Sequence, residues 1–174
     1  MPLARRDLLV LGAVGAAAAA AGGLIGALTL QSRSGAAELL GSTFADATGK
    51  PRRLLEWQGR ILVCNFWATW CAPCREEMPM LSAAQQHYQS RGITVVGIGI
   101  DQVDKIVQFT VKERISYTIL VAGLATIELM RRLGNPAGGL PFTVILDRSG
   151  ALAFHRLGPL TRPELDQALA GLLL

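Results

Sequence analysis

The chain has 174 residues, 51% of them apolar and 17% charged, so it is long enough for one domain with a hydrophobic core and too apolar for a disordered protein. Its net charge is +4, but the residues after Gly35 carry 14 basic and 12 acidic side chains. That near balance leaves no basic stripe along which a nucleic acid would bind.

The N-terminal segment differs from the rest of the chain. Arg5 and Arg6 precede an uncharged run of 23 residues, from Leu8 to Leu30, which is long enough to cross a membrane as a helix. The stretch ARRDLLV resembles a twin-arginine export signal, although it lacks the usual polar residue before the arginines and the Phe after them. We expect residues 1–30 to form a signal or anchor helix, either retained or cleaved. Its basic end stays in the cytoplasm, and the rest of the chain lies in an oxidising, extracytoplasmic space.

The next segment, residues 31–41, is rich in small and polar side chains and predicts a linker, so the domain is placed at residues 42–174. Apolar runs rich in β-branched residues predict strands at residues 61–67, 93–100 and 118–122. Helical spacing predicts helices at residues 72–90, 101–114 and 125–133. Asp101 or Asp104 is expected to cap the second of these helices.

The C-terminal part predicts a hairpin followed by a helix. Residues 141–147 and 151–157 are apolar runs joined by the turn DRSG, and Thr161 and Glu164 have capping-box spacing at the start of a closing helix. Strands that alternate with helices, followed by a hairpin and a helix, predict an α/β domain with a central mixed β-sheet flanked by helices.

Two of the three cysteines, Cys71 and Cys74, lie two residues apart between the first of these strands and its following helix. A structural disulfide across so short a loop stabilises little, because the entropic gain grows with loop length. A zinc site needs four ligands, and the remaining candidates, Cys64, His87 and His155, have no ligand-like spacing. At a helix start, free backbone N–H groups and the helix dipole stabilise a thiolate, which favours a redox pair.

The position of each cysteine predicts its role. Cys71, at the start of the helix, is expected to attack a disulfide, and Cys74, one turn further in, to resolve the mixed disulfide. Pro73 stiffens the turn between them. Trp70 is expected to shield the pair or to contact the partner, and Cys64 to be a small core residue.

The sequence WCAPC after ILVCNFWAT, with GGLPFTVILDRSG about 65 residues later, resembles the thioredoxin superfamily. More narrowly, residues 41–174 resemble the exported, membrane-tethered thiol–disulfide oxidoreductases of the TlpA/ResA type. The resemblance implies a thioredoxin-like fold with an extra helix and strand in the roughly 40 residues between Asp101 and Pro141. It also implies that the Leu140–Pro141 bond is cis, that Pro141 faces the cysteines, and that the backbone around Leu140 pairs with the substrate chain.

The same resemblance suggests a proton carrier. Asn65 stands where cytosolic thioredoxins carry a buried Asp, and an amide cannot transfer that proton. Glu77, three residues after Cys74, matches a Glu of the tethered reductases and is expected to exchange a proton with Cys74.

The function implied is reduction of protein disulfides, for example in cytochrome c maturation or copper-site assembly. A membrane thiol-transfer protein would recharge the enzyme, and neither a soluble cofactor nor a resident metal is expected. A disulfide-forming oxidase is an alternative, because the motif does not set the direction of electron flow. A copper-binding chaperone that uses Cys71, Cys74 and His155 is a second alternative, because thiolates suit Cu(I).

Overall fold

The computed structural model describes residues 35–173, together with Gly23, Gly26, Ala27 and Leu30. Within these residues the strands are β1 (Thr43–Asp46), β2 (Pro51–Arg53), β3 (Ile61–Trp67), β4 (Ile93–Gly99), β5 (Thr118–Val121), β6 (Phe142–Leu146) and β7 (Leu152–Leu157). The helices are α1 (residues 35–41), α2 (Ala72–Tyr88), α3 (Val103–Lys112), α4 (Thr126–Arg132) and α5 (Arg162–Ala170). Short 3-10 turns lie at Leu54–Trp57 and Gln89–Arg91.

The strands form one mixed sheet in the order β2-β1-β5-β4-β3-β6-β7. Strands β3, β4 and β5 run parallel, and the other neighbouring pairs are antiparallel. Strands β3 and β4 are buried along their whole length, which explains why ILVCNFW and ITVVGIG are almost continuously apolar. Because parallel strands point the same way, the turns that follow β3, β4 and β5 meet at one edge of the sheet.

Helices cover both faces of the sheet. One face packs against α1 and α4 through a cluster that includes Leu39, Phe66 and Met130. The other face packs against α2, α3 and α5 through a second cluster, which contains Cys71 and Cys74. Alternate residues of β3 therefore enter different clusters, and this alternation decides which side chains can reach the cysteine pair.

The interval between Asp101 and Pro141 contains α3, β5 and α4, which gives the additional helix and strand that the resemblance implies. The predicted hairpin forms from β6 and β7, and the carboxylate of Asp147 accepts hydrogen bonds from the backbone N–H groups of Ser149 and Ala151 in its turn. Helix α5 begins after Thr161, whose backbone N–H donates to Glu164 Oε2 at 2.9 Å, as the capping-box spacing predicts.

Three local predictions are corrected. Residues 35–41 form a helix with Leu39 fully buried rather than an open linker, because this short stretch presents apolar side chains to the sheet. The N-cap of α3 is Gln102, whereas the Asp101 carboxylate accepts hydrogen bonds from the Thr69 hydroxyl and the Gln102 N–H. The predicted set of strands, which begins at residue 61, is incomplete, because strands β1 and β2 precede it.

Among the described residues, no helix is both long enough and apolar enough to cross a membrane. The predicted signal or anchor helix at residues 1–30 lies almost entirely outside the described part of the chain.

Candidate active site

The cysteine pair lies where β3 passes into α2. Cys71 is the N-cap of α2, and its Sγ forms a disulfide with Cys74 with an S–S distance of 2.03 Å. The backbone N–H of Cys74 donates to Cys71 Sγ at 3.3 Å. Cys71 is 5% exposed and Cys74 is fully buried, so Cys71 is the more accessible residue of the pair.

The start of α2 offers an electrostatic environment that suits an anion. The first N–H groups of a helix have no partner within the helix, and the helix dipole places partial positive charge there. Pro73, in the first turn, removes one of these N–H groups. A thiolate on Cys71 gains from this environment and a neutral thiol does not, so the reduced pair is expected to ionise at Cys71.

Glu77 lies one turn beyond Cys74 on the buried side of α2 and is only 5% exposed. Its Oε1 accepts a hydrogen bond from Asn65 Nδ2 at 2.7 Å, and its Oε2 accepts one from the Leu160 backbone N–H at 2.8 Å. Burial raises the pKa of Glu77 above its ordinary value, although both hydrogen bonds act in the opposite direction. A buried carboxyl group with a raised pKa can take up a proton more readily than an exposed one and return it later.

Asn65 connects Glu77 to the sheet. Its Nδ2 also donates to Thr143 Oγ1 at 3.0 Å, and Thr143 lies directly opposite it on β6. Its Oδ1 is buried without a hydrogen-bond partner. The sequence alone marks Asn65 only as a residue that cannot carry a proton and does not reveal these contacts. The available signal was a lone amide within the apolar run ILVCNFW.

The Leu140–Pro141 peptide bond is cis. Pro141 is buried, and Leu140 is half-buried against the same cluster that contains both cysteines. The turn before this bond is held by Asn135, a residue that no sequence motif indicates. Its Nδ2 donates to the Gly139 carbonyl at 2.8 Å, and its Oδ1 accepts from the Gly139 N–H at 3.2 Å. The loop before Pro141 is thus fixed by side-chain hydrogen bonds.

Trp70 precedes the cysteine pair and is 70% exposed. Its side chain is therefore not packed over the disulfide as a shield against solvent. It faces a groove of about 320 Å³ at the edge where the parallel strands end. Leu124, 76% exposed, also lines this groove. The remaining lining residues come from the turns after β4 and β5: Ile100, Asp101, Gln102, Ala122 and Gly123.

The third cysteine does not join the pair. Cys64 is fully buried in the cluster on the opposite face of the sheet, and burial raises the pKa of its thiol to about 12. His87 and His155 are both exposed. In the part of the chain that the structure describes, no three His, Cys, Asp or Glu side chains are grouped so as to hold a metal ion.

The fold and the cysteine pair define a thiol–disulfide oxidoreductase with a thioredoxin-like fold. The sequence profile of the AhpC/TSA family matches residues 36–155, and the chain belongs to this family.

Similar proteins agree with this class. The chain is 27% identical over 125 residues to a thiol-disulfide oxidoreductase ResA from Geobacillus thermodenitrificans. This alignment covers 72% of this chain and 70% of that protein. It is 30% identical over 129 residues to the thioredoxin-like protein YneN from Bacillus subtilis, covering 70% of this chain and 71% of that one.

Solved structures give the same result. A thiol:disulfide interchange protein of the thioredoxin family from Chlorobium tepidum matches with a TM-score of 0.65 at 30% identity, over 76% of this chain and 93% of that one. A DsbF homologue from Corynebacterium diphtheriae matches with a TM-score of 0.67 at 28% identity, over 75% of this chain and 83% of that one.

Proposed function

We propose that the protein is an exported reductase that donates two electrons from Cys71 and Cys74 to disulfides of other proteins. The observation that carries this proposal is the buried Glu77 carboxyl group one helical turn beyond Cys74, the less accessible of the two sulfurs. A proton acceptor at this place suits the step in which the buried thiol must ionise to release a bound partner.

The reaction proceeds in two exchanges. The Cys71 thiolate attacks one sulfur of the substrate disulfide, a mixed disulfide forms, and the other substrate sulfur leaves as a thiolate. Cys74 then gives its proton to Glu77, and its sulfur attacks Cys71 Sγ. The Cys71–Cys74 disulfide forms, the bond to the substrate breaks, and the substrate is released with both sulfurs reduced.

Two surfaces would hold the substrate. The backbone at Leu140 and Pro141 lies beside the cluster that contains the cysteines and would align the substrate chain next to Cys71. The exposed side chains of Trp70 and Leu124 border the groove at the same edge of the sheet and would accept an apolar side chain near the substrate cysteine.

The setting of the reaction follows from the N-terminal sequence. Residues 1–30 would export the chain and, if retained, tether it to the cytoplasmic membrane with the domain outside. In an oxidising compartment a reductase stays active only if another protein reduces its cysteine pair again after each cycle. We therefore propose a membrane thiol-transfer protein as the electron donor. Disulfides of apocytochrome c or of copper-site assembly proteins are the proposed targets.

A redox titration of the full-length chain, with free thiols counted at each poise, tests the direction of electron flow. We expect a reversible two-electron couple near or below about −220 mV, which suits a reductase. A couple near about −120 mV would mean that the protein oxidises its partners. Absence of any reversible couple would refute the oxidoreductase function altogether.

Variants of the two cysteines test their separate roles. Cys71→Ser should abolish turnover, because no accessible thiolate remains. Cys74→Ser should accumulate a mixed disulfide through Cys71, which mass spectrometry would detect. Cys64→Ala is the matched control and should leave turnover unchanged, because Cys64 lies on the other face of the sheet. Normal turnover by Cys74→Ser would contradict the assigned roles.

A further inference from the structure

The hydrogen bonds around Glu77 suit its ionised form better than its protonated form. Both carboxyl oxygens accept hydrogen bonds, Oε1 from Asn65 Nδ2 and Oε2 from the Leu160 N–H. A protonated carboxyl group becomes a donor at one oxygen and needs an acceptor there. Neither Asn65 Nδ2 nor the Leu160 N–H can accept from that O–H, so a neighbour that changes from donor to acceptor would give the proton a hydrogen-bond partner.

Only one of the two neighbours can make that change. The Leu160 N–H belongs to the backbone and donates in every state. The Asn65 side chain carries a donor and an acceptor at the two ends of one amide group, and a half-turn of that group exchanges them. Asn65 Oδ1, the end that would come to face Glu77, is buried without a hydrogen-bond partner in the present orientation.

Thr143 fits both orientations of the amide. Its Oγ1 now accepts from Asn65 Nδ2 at 3.0 Å. A hydroxyl group can also donate, so after the half-turn Thr143 would donate to Oδ1 while Glu77 donates to the same oxygen. In each state one end of the amide satisfies both Glu77 and Thr143, and the other end is left without a partner.

We propose that Asn65 is a positioning residue whose side-chain amide rotates by a half-turn when Glu77 gains or loses its proton. With Glu77 ionised, Nδ2 donates to Glu77 and Thr143, as in this structure. With Glu77 protonated, Oδ1 accepts from both. This rotation gives the Glu77 proton a hydrogen-bond acceptor. The role of Asn65 in catalysis rests on the function proposed above.

The proton balance places this event in the second exchange. The Cys74 S–H bond breaks, the O–H bond forms at Glu77 Oε1, and the sulfur keeps the electron pair that forms the bond to Cys71. Among the described residues, Tyr117 from the segment before β5 is a titratable group near Glu77, since burial and the Glu77 charge both raise the pKa of its phenol. Cys74 lies one turn before Glu77 on the buried side of the same helix. Leu160 and Thr143 contribute only uncharged groups.

The test is an NMR titration of the oxidised full-length chain, in which Cys71 and Cys74 are joined and do not titrate. The ¹³C chemical shift of the Glu77 carboxyl carbon reports whether this group is protonated. Nuclear Overhauser effects from the Asn65 Nδ2 hydrogens to the Thr143 side chain report the orientation of the amide. We expect these effects to weaken on acidification with the same midpoint as the Glu77 shift, and Glu77→Gln to remove the transition.

If Glu77 titrates while the contacts of the Asn65 Nδ2 hydrogens with Thr143 persist, the proposal is wrong. This readout does not require turnover. A chain that fails to reduce any disulfide but shows the coupled transition would refute the proposed function and leave the inference standing. A protein that reduces disulfides while the Asn65 amide keeps one orientation would support the proposed function and refute this inference.

Kinetics of a variant give a second readout. Asn65→Leu removes both ends of the amide at similar volume and should slow resolution of the mixed disulfide by about tenfold, the scale of one lost hydrogen bond to a charged group. Attack by Cys71 should keep its rate. Thr94→Val, which also replaces a buried polar side chain in the sheet, is the control and should alter neither rate. Equal slowing of both exchanges by Asn65→Leu would show that Asn65 serves only the fold.

Discussion

At the scale of single residues, Glu77 lies in an environment far from the one that a carboxylate prefers. A carboxylate in water is solvated on all sides, whereas here the side chain is 5% exposed and has two hydrogen-bond donors. Burial is the larger effect and raises the pKa, so the folded protein holds this proton more tightly than the unfolded chain does.

The linkage between folding and protonation predicts how stability changes with pH. Because the pKa of Glu77 is raised in the folded state, its stabilising contribution is complete below the ordinary Glu pKa and is lost as pH rises through the raised value. The free energy of unfolding of the wild type should therefore fall relative to that of Glu77→Gln as pH rises through this interval. Denaturant unfolding of the oxidised proteins over a pH series measures it.

Glu76, the exposed neighbour on α2, provides the control. Glu76→Gln makes the same chemical change at an exposed side chain, so any effect that it shares with Glu77→Gln is not specific to the buried carboxyl group. A constant difference between the wild type and Glu77→Gln across the series would show that Glu77 keeps an ordinary pKa in the folded protein.

At the scale of elements, helix α1 shows how a short segment joins the domain. Ala36, Leu39 and Leu40 are buried against the sheet. Glu38 makes two short hydrogen bonds with the guanidinium of Arg132 at the end of α4, at 2.7 and 2.8 Å. The helix is therefore part of the folded domain and holds the start of the domain against one face of the sheet.

Leu39→Ala tests whether α1 is packed as described. Removing a fully buried Leu side chain should lower the free energy of unfolding by about 2–5 kcal/mol. Leu124→Ala makes the same chemical change at a side chain that is 76% exposed, and its effect should stay within about 0.5 kcal/mol. Equal, small effects at both positions would mean that residues 35–41 do not pack on the domain in solution.

At the scale of the whole molecule, the chain combines a folded domain with an N-terminal segment that predicts export. Arg5→Lys combined with Arg6→Lys should retain the protein in the cytoplasm if the paired arginines are read as a twin-arginine signal. Fractionation of cells that express the tagged full-length chain would measure this. Arg52→Lys with Arg53→Lys changes a second adjacent pair inside the domain and should leave export intact. Export of the Arg5 and Arg6 variant would exclude the twin-arginine route.

Sequence patterns were sufficient where a single local property decides the structure. The apolar runs of β3 and β4, the turn after Asp147 and the cap at Thr161 each depend on neighbouring residues. The redox pair is also local, because two residues separate Cys71 from Cys74.

Other features depend on contacts between distant segments and were not predictable in the same way. Asn65 meets Thr143 across 78 positions, and Leu160 meets Glu77 across 83. Only the packing of α2 and the loop before α5 onto the sheet brings these groups together. The sequence predicts a linker in place of helix α1 because seven residues are too few for a clear helical period. The burial of this helix comes from the sheet beneath it.

The exposure of Trp70 and Leu124 also bears on how proteins of this kind diverge. Both side chains lie on turns outside the two core clusters, so replacing them would remove little buried surface. Where this groove binds the substrate, as proposed above, a lineage could alter its choice of partners by substitutions in these turns while the domain keeps folding. Asn65, Glu77 and Thr143 have no such latitude, because each is buried and bonded to another of the three. Substrate range is expected to change faster over evolutionary time than reaction chemistry.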